Sequence, residues 1–120
     1  MGITLFILLI IIFVMHFVGD FMFQTHKQAI NKSKSPKYLT YHALTYCIPF
    51  LLLFCGGVGW NVVWFILLLF GSHWLTDFIT SKATSYFWQK KDMHNFFVVV
   101  GFDQLIHIIT LLYLLDTFIL

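Results

Sequence analysis

Arginine and glutamate are missing altogether, so all seven basic residues are lysines and all five acids are aspartates. Without a guanidinium fork there is no planar, bidentate capture of phosphate or carboxylate, and an anion can be met only by lysine point charges. Charge of either sign is also scarce, at 10% of residues against roughly 25% in a soluble globular domain. That is too little to coat a water-facing shell around a chain that is 60% hydrophobic and 20% aromatic, and the composition therefore indicates a membrane protein. A net charge of +2 gives no argument for a nucleic-acid partner. Only two cysteines occur, Cys47 and Cys55; on one helix they would stand about 12 Å apart, too far to bridge. They are read as buried free thiols. The opening run, MGITLFILLIIIFVMHF, lacks the basic lead of a signal peptide and is read as a retained transmembrane helix.

Four apolar segments remain, each near the roughly 20 residues that cross a hydrocarbon core. They predict an all-α, polytopic membrane protein forming a single domain over residues 1–120. Its four transmembrane helices are expected at about 3–24, 36–55, 60–80 and 96–119. Pro36 suits a first helical turn and Pro49 predicts a kink in the second helix. CGGVGWN, residues 55–61, predicts a tight turn, with Trp60 as an interfacial anchor. Every lysine falls in THKQAINKSKSPK (25–37) or SKATSYFWQKKDMHN (81–95). The positive-inside rule then puts both loops in the cytoplasm and both termini outside. SYFWQKK (85–91) reads either as a short amphipathic helix along the membrane surface or as a solvated loop.

Within this apolar chain HFVGDFM, residues 16–22, is nearly repeated by HWLTDFI, residues 73–79. A spacing of four puts His16 with Asp20, His73 with Asp77, and Asp103 with His107, each pair on one helix face, while His42 opens the second helix. By residue count all lie within one layer, roughly 5 to 17 Å inside the lysine-bearing boundary. A transmembrane aspartate costs on the order of 3 kcal/mol to insert, so three at one depth call for a compensating cation. Imidazole and carboxylate are ligands for a divalent metal, zinc first, with manganese or iron also suited. His16, Asp20, His73, Asp77 and His107 are the expected ligands of one or two ions. Asp103 or His42 would orient or deprotonate an attacking water, and Gln24 and Gln104 would hydrogen-bond behind the ligands. Lys82, at the boundary, is placed to meet a lipid headgroup phosphate. His26, His94 and Asp92 are read as solvated, and Asp116 as facing the outer interface. The constant offset of 57 between the two motifs suggests two repeated hairpins, with Val99 standing where the first hairpin carries His42.

The motifs HFVGDFMFQ (16–24), HWLTD (73–77) and DQLIH (103–107) resemble those of a family of small, uncharacterised multi-pass membrane proteins of bacteria and their phages. That family carries H-x-x-G-D-F-x-x-Q, H-x-x-x-D and D-Q-x-x-H in this order. The resemblance implies a bacterial cytoplasmic membrane and brings no activity with it. A more distant likeness is to membrane-bound metal-dependent hydrolases, whose His and Asp pairs also sit at helix ends. The leading expectation is a metal-dependent hydrolase acting on a lipid or membrane-surface ester, amide or phosphoester at the cytoplasmic leaflet. The alternatives are a transporter of a metal ion or proton-coupled solute, and a noncatalytic scaffold whose polar cluster fixes helix register. A homodimer is expected, because four helices of this size bury little of one another.

Overall fold

Spacings of three and four residues decide which face each helix buries. In the computed structural model, which describes residues 2–56 and 59–120, that rule selects Leu39, His42, Ala43, Tyr46 and Cys47 on one helix. On another it selects Phe65, Leu69, His73, Asp77, Thr80 and Ser81. The second stripe changes along its length from apolar to ligand-type to hydroxyl side chains. The described residues are helical throughout apart from short connections. Helix α1 (Ile3–Phe17) runs into a π turn (Val18–Met22), followed by α2 (His26–Asn31), α3 (Pro36–Cys47), a 3₁₀ segment (Pro49–Gly56), α4 (Trp60–Gln89) and α5 (Met93–Phe118). Among the described residues, three stretches are long and apolar enough to cross a membrane: Ile3–Met22, α4 and α5. Ile12, Tyr46, Phe50, Phe65, Leu69 and Leu111 form the centre of the apolar core.

The second segment is not one kinked helix. Pro49 has no N–H to offer the Thr45 carbonyl, and Ile48 N–H already donates to Thr45 at 3.2 Å in the tighter three-residue pattern. The α-helix therefore stops at Cys47 and the chain continues as 3₁₀. The two cysteines are thus on different elements, Cys47 buried and Cys55 exposed. The turn expected over 55–61 includes Gly57 and Val58, which lie outside the described residues; Trp60 opens α4 and is exposed.

Both lysine-rich connections carry helix that the charge pattern concealed. Thr25 begins α2 with a reciprocal cap, accepting from the Gln28 backbone while the Gln28 side chain accepts from the Thr25 N–H, as in a capping box. SYFWQKK neither lies flat on the surface nor forms a solvated loop, because α4 continues through it to Gln89. Thirty residues at 1.5 Å per residue reach about 45 Å, well beyond a hydrocarbon core of about 30 Å. Lys91, at φ 58°, turns the chain, and Asp92 caps α5 by accepting from Asn95 N–H. The Asn95 side-chain amide, then its backbone N–H, hold the Asp92 carboxyl below its ordinary value.

The π turn is where the first motif departs most from an ideal helix. Phe23 N–H reaches back five residues to the Val18 carbonyl, and the widened turn lies directly against α3. A Cβ on Gly19 would stand 2.5 Å from the Tyr46 carbonyl oxygen, so only glycine lets the two backbones approach this closely. Gly19→Ala is expected to cost about 1–3 kcal/mol and to lower Tm in detergent. Gly71→Ala and Gly101→Ala, where a Cβ meets open space, should leave Tm unchanged or raise it; equal behaviour of all three variants would refute this packing.

Candidate metal centre

Three helical elements deliver four side chains to a buried point: Asp20 from the π turn, His42 from α3, and His73 and Asp77 from α4. All four residues are at most 4% exposed. His42 Nε2 lies 3.1 Å from Asp20 Oδ1, 3.2 Å from Asp77 Oδ2 and 3.1 Å from His73 Nε2. His73 Nε2 lies 3.6 Å from the same Asp20 oxygen and 3.8 Å from the same Asp77 oxygen. These separations bracket the roughly 3.3 Å between tetrahedral ligands about 2.0 Å from a zinc ion. One Nε2–H proton cannot serve three acceptors, and both rings turn Nε2 inward while their Nδ1 atoms have no partner among the described residues. The four ligand atoms, one from each residue, lie within 4.8 Å of one another and form a cluster able to hold a metal ion.

A second group, Asp20, Asp103 and His107, abuts the first and shares Asp20 with it. His107 Nε2 lies 3.0 Å from Asp77 Oδ1 and 3.4 Å from Asp103 Oδ1. Gln104 ties the groups together. Its amide donates to Asp20 Oδ2 at 2.9 Å and to Asp103 Oδ2 at 3.1 Å, and its oxygen faces His16 Nε2 at 3.0 Å. Thr80 donates its hydroxyl to Asp103 Oδ1.

His16 has a different place from the one its spacing suggested. It faces the same Gln104 side chain as Asp20 does, and both its nitrogens are engaged. Nε2–H donates to Gln104 and Nδ1 accepts from the Tyr46 hydroxyl at 3.0 Å. It lies outside both ligand groups and holds Gln104 in position. His42, expected as a base, is instead at the heart of the ligand cluster. Gln24 lines the neighbouring cavity. Lys82 is exposed and rests its ammonium 3.5 Å from the centroid of the Phe78 ring. His26, His94 and Asp116 are exposed.

Two residues that the sequence reading missed are central here. Tyr46 stacks on His73 at 3.8 Å and 11°, and His73 stacks on His107 at 4.2 Å, so packing joins the His42 contact in orienting the His73 ring. Tyr46 follows His42 by one helical turn, which was the available signal. Lys32 donates to Asp77 Oδ2 at 2.8 Å with its side chain 19% exposed. It sits in a lysine run, and nothing local in the sequence marks it as turning inward.

Beside the cluster lies a cavity of about 210 Å³, walled by Asp20, Gln24, Lys32, Thr80, Ser81 and Asp103 among others. The apolar core closes the opposite side. Over residues 8–120, and thus through all three motifs, the chain matches the family model described as protein of unknown function (DUF3307). No curated protein and no solved structure matches it.

Tyr46 separates stacking from hydrogen bonding. Tyr46→Phe keeps the stack but strips buried His16 of a partner, an expected loss of about 1–3 kcal/mol. Tyr46→Ala also opens a core cavity and should cost about 3–5 kcal/mol. Unfolding in detergent should rank the wild type above the phenylalanine variant and that above the alanine variant; any other order contradicts the double role.

Proposed function

Because the chain belongs to the DUF3307 family, whose function is unknown, no activity comes with the match. We propose instead, from the site's geometry, that it is an integral membrane metal-dependent hydrolase acting on a lipid or membrane-surface substrate at the cytoplasmic leaflet. The observation that carries this reading is the convergence of four buried ligand atoms next to a cavity bordered by a further carboxylate. Asp20, His42, His73 and Asp77 would hold zinc, the ion whose tetrahedral spacing the donor separations match. Asp20, Asp103 and His107 would hold a second ion if one binds.

The metal would lower the pKa of a bound water to about 7, which requires a coordination position beyond the four protein ligands. With one ion bound, Asp103 would take the proton of that water. Its two oxygens are held by Thr80 and Gln104, which fixes the carboxylate at the cavity wall without neutralising it. His107 stands behind it. Cytoplasmic placement is supported by the lysines, which all fall in α2, the α2–α3 connection, the first turn of α3, the last third of α4 and the turn after it. In this reading α3 and the 3₁₀ segment together form a fourth crossing, since about 18 Å of α-helix and about 16 Å of 3₁₀ helix exceed the hydrocarbon thickness. Both termini then face outward. A transporter is less well supported, because Phe50, Phe65, Leu69 and Leu111 pack on the far side of the cluster and offer a solute no polar route.

Protein purified in mild detergent without chelator should carry one or two equivalents of zinc, manganese or iron by mass spectrometry. Asp20→Asn combined with Asp77→Asn should abolish the metal, whereas Asp103→Asn should retain at least one ion yet lower hydrolysis by roughly 10²- to 10⁴-fold. Metal-free wild-type protein would sink the reading, and zinc flux into proteoliposomes would replace it with transport.

A further inference from the structure

The cavity at the cluster does not end there. A second cavity of about 440 Å³ continues from it, and the two share Lys32, Ser81, Thr84 and Phe96 as wall residues. Together they make one groove from the ligand cluster to the lysine-bearing end of the molecule. Its two halves are chemically opposite. The inner half carries the Asp20 and Asp103 carboxylates and suits a cation. The outer half, among the described residues, has no carboxylate in its wall. It presents Lys32 and Lys34 with the hydroxyls of Ser33, Ser81, Thr84 and Ser85, beside the apolar surfaces of Ile30, Trp88 and Phe96.

Ser81 shows that this polar wall is addressed to a ligand. It is 7% exposed, it borders both cavities, and its Oγ has no hydrogen-bond partner among the described residues. A buried hydroxyl left unpaired costs about 1–3 kcal/mol, an expense without return unless something in the groove completes it. Its neighbours spend their hydroxyls otherwise: Thr84 donates to the Ser81 carbonyl and Thr80 to Asp103.

We infer that the outer half of the groove is a binding site for a phosphate group, seated between Lys32, Lys34 and the Ser81 hydroxyl. The Lys34 ammonium, the Lys32 ammonium with one proton already given to Asp77, and the free Ser81 hydroxyl can meet several acceptor oxygens of a phosphate, and in a chain without arginine lysine is the only strong cationic donor. In the topology proposed above, the site falls where α4 leaves the apolar layer, at the depth of lipid headgroups. Both a phospholipid and a soluble phosphate ester carry the required chemistry. As the identity of a substrate, this rests on the hydrolase reading; as a binding site, it stands without a metal.

The test is native mass spectrometry of the whole protein in detergent with dioleoylphosphatidic acid, dioleoylglycerol and inorganic phosphate as probes, reading bound metal in the same spectra. Phosphatidic acid should bind at one equivalent and at least tenfold tighter than dioleoylglycerol. Ser81→Ala, which removes no native hydrogen bond, and Lys34→Ala, whose residue is exposed, should each weaken it by roughly tenfold with Tm and metal content unchanged. Lys32→Ala is avoided because it also strips Asp77 of a partner. Inorganic phosphate competing as well as the lipid supports the site and makes its ligand soluble; failure to compete supports the site and makes it a lipid. Equal binding of dioleoylglycerol, or indifference to both substitutions, overturns the inference. Phosphate selectivity in metal-free protein would overturn only the hydrolase reading, and bound metal without phosphate selectivity only this one.

Discussion

The burial of Asp20 and Asp77 side by side in an apolar bundle is the constraint on which everything else in this structure depends. Two carboxylates from different helices point at one another's space, and neither helix could be packed there unless positive charge or donated protons balanced them. The chain supplies what it can. Lys32 reaches in from the α2–α3 connection, Gln104 gives both its amide protons to carboxylates, and His42 and His107 each face two acidic side chains. The helix packing is built outward from this point. Gly19 brings the π turn against α3, and the Tyr46, His73 and His107 rings stack across the bundle. At the centre one ligand atom from each of Asp20, His42, His73 and Asp77 meets the others within 4.8 Å.

Much of this was legible in the sequence, and the misses share a physical origin. The depth of the polar layer, its residues and their helices follow from periodicity and from the high cost of each transmembrane aspartate. The role of each residue does not, because it depends on tertiary partners. His16 is kept out of the cluster by bonds to Tyr46 and Gln104, partners 30 and 88 residues away that its spacing from Asp20 does not reveal. The 3₁₀ segment was signalled by Pro49 but read as a bend. The extension of α4 was hidden because lysines and hydroxyls suggest loop, although Ser81, Thr84, Ser85 and Trp88 continue the spacing of His73 and Asp77. Lys32 had no local signal at all, since its partner lies 45 residues further along.

The apparent repeat also takes on a sharper meaning. His16 and His73 occupy matching places in two similar motifs, yet one is a buried hydrogen-bonding support and the other a ligand-cluster member. Only the aspartates keep equivalent positions at the centre. Asp20 and Asp77 both join the cluster, whereas of the two motif histidines only His73 does.

Helix α4 contributes His73 and Asp77 to the cluster and Ser81, Thr84, Ser85 and Trp88 to the groove, all from one uninterrupted stripe. Each residue of helix turns the chain by about 100°. A single insertion or deletion between Asp77 and Thr84 would swing one half of the site to the wrong side of the helix, leaving every contact intact within each half and none between them. This stretch can therefore diversify by exchanging side chains but not by changing length, and descendants of the protein should keep its residue count here long after its sequence has drifted.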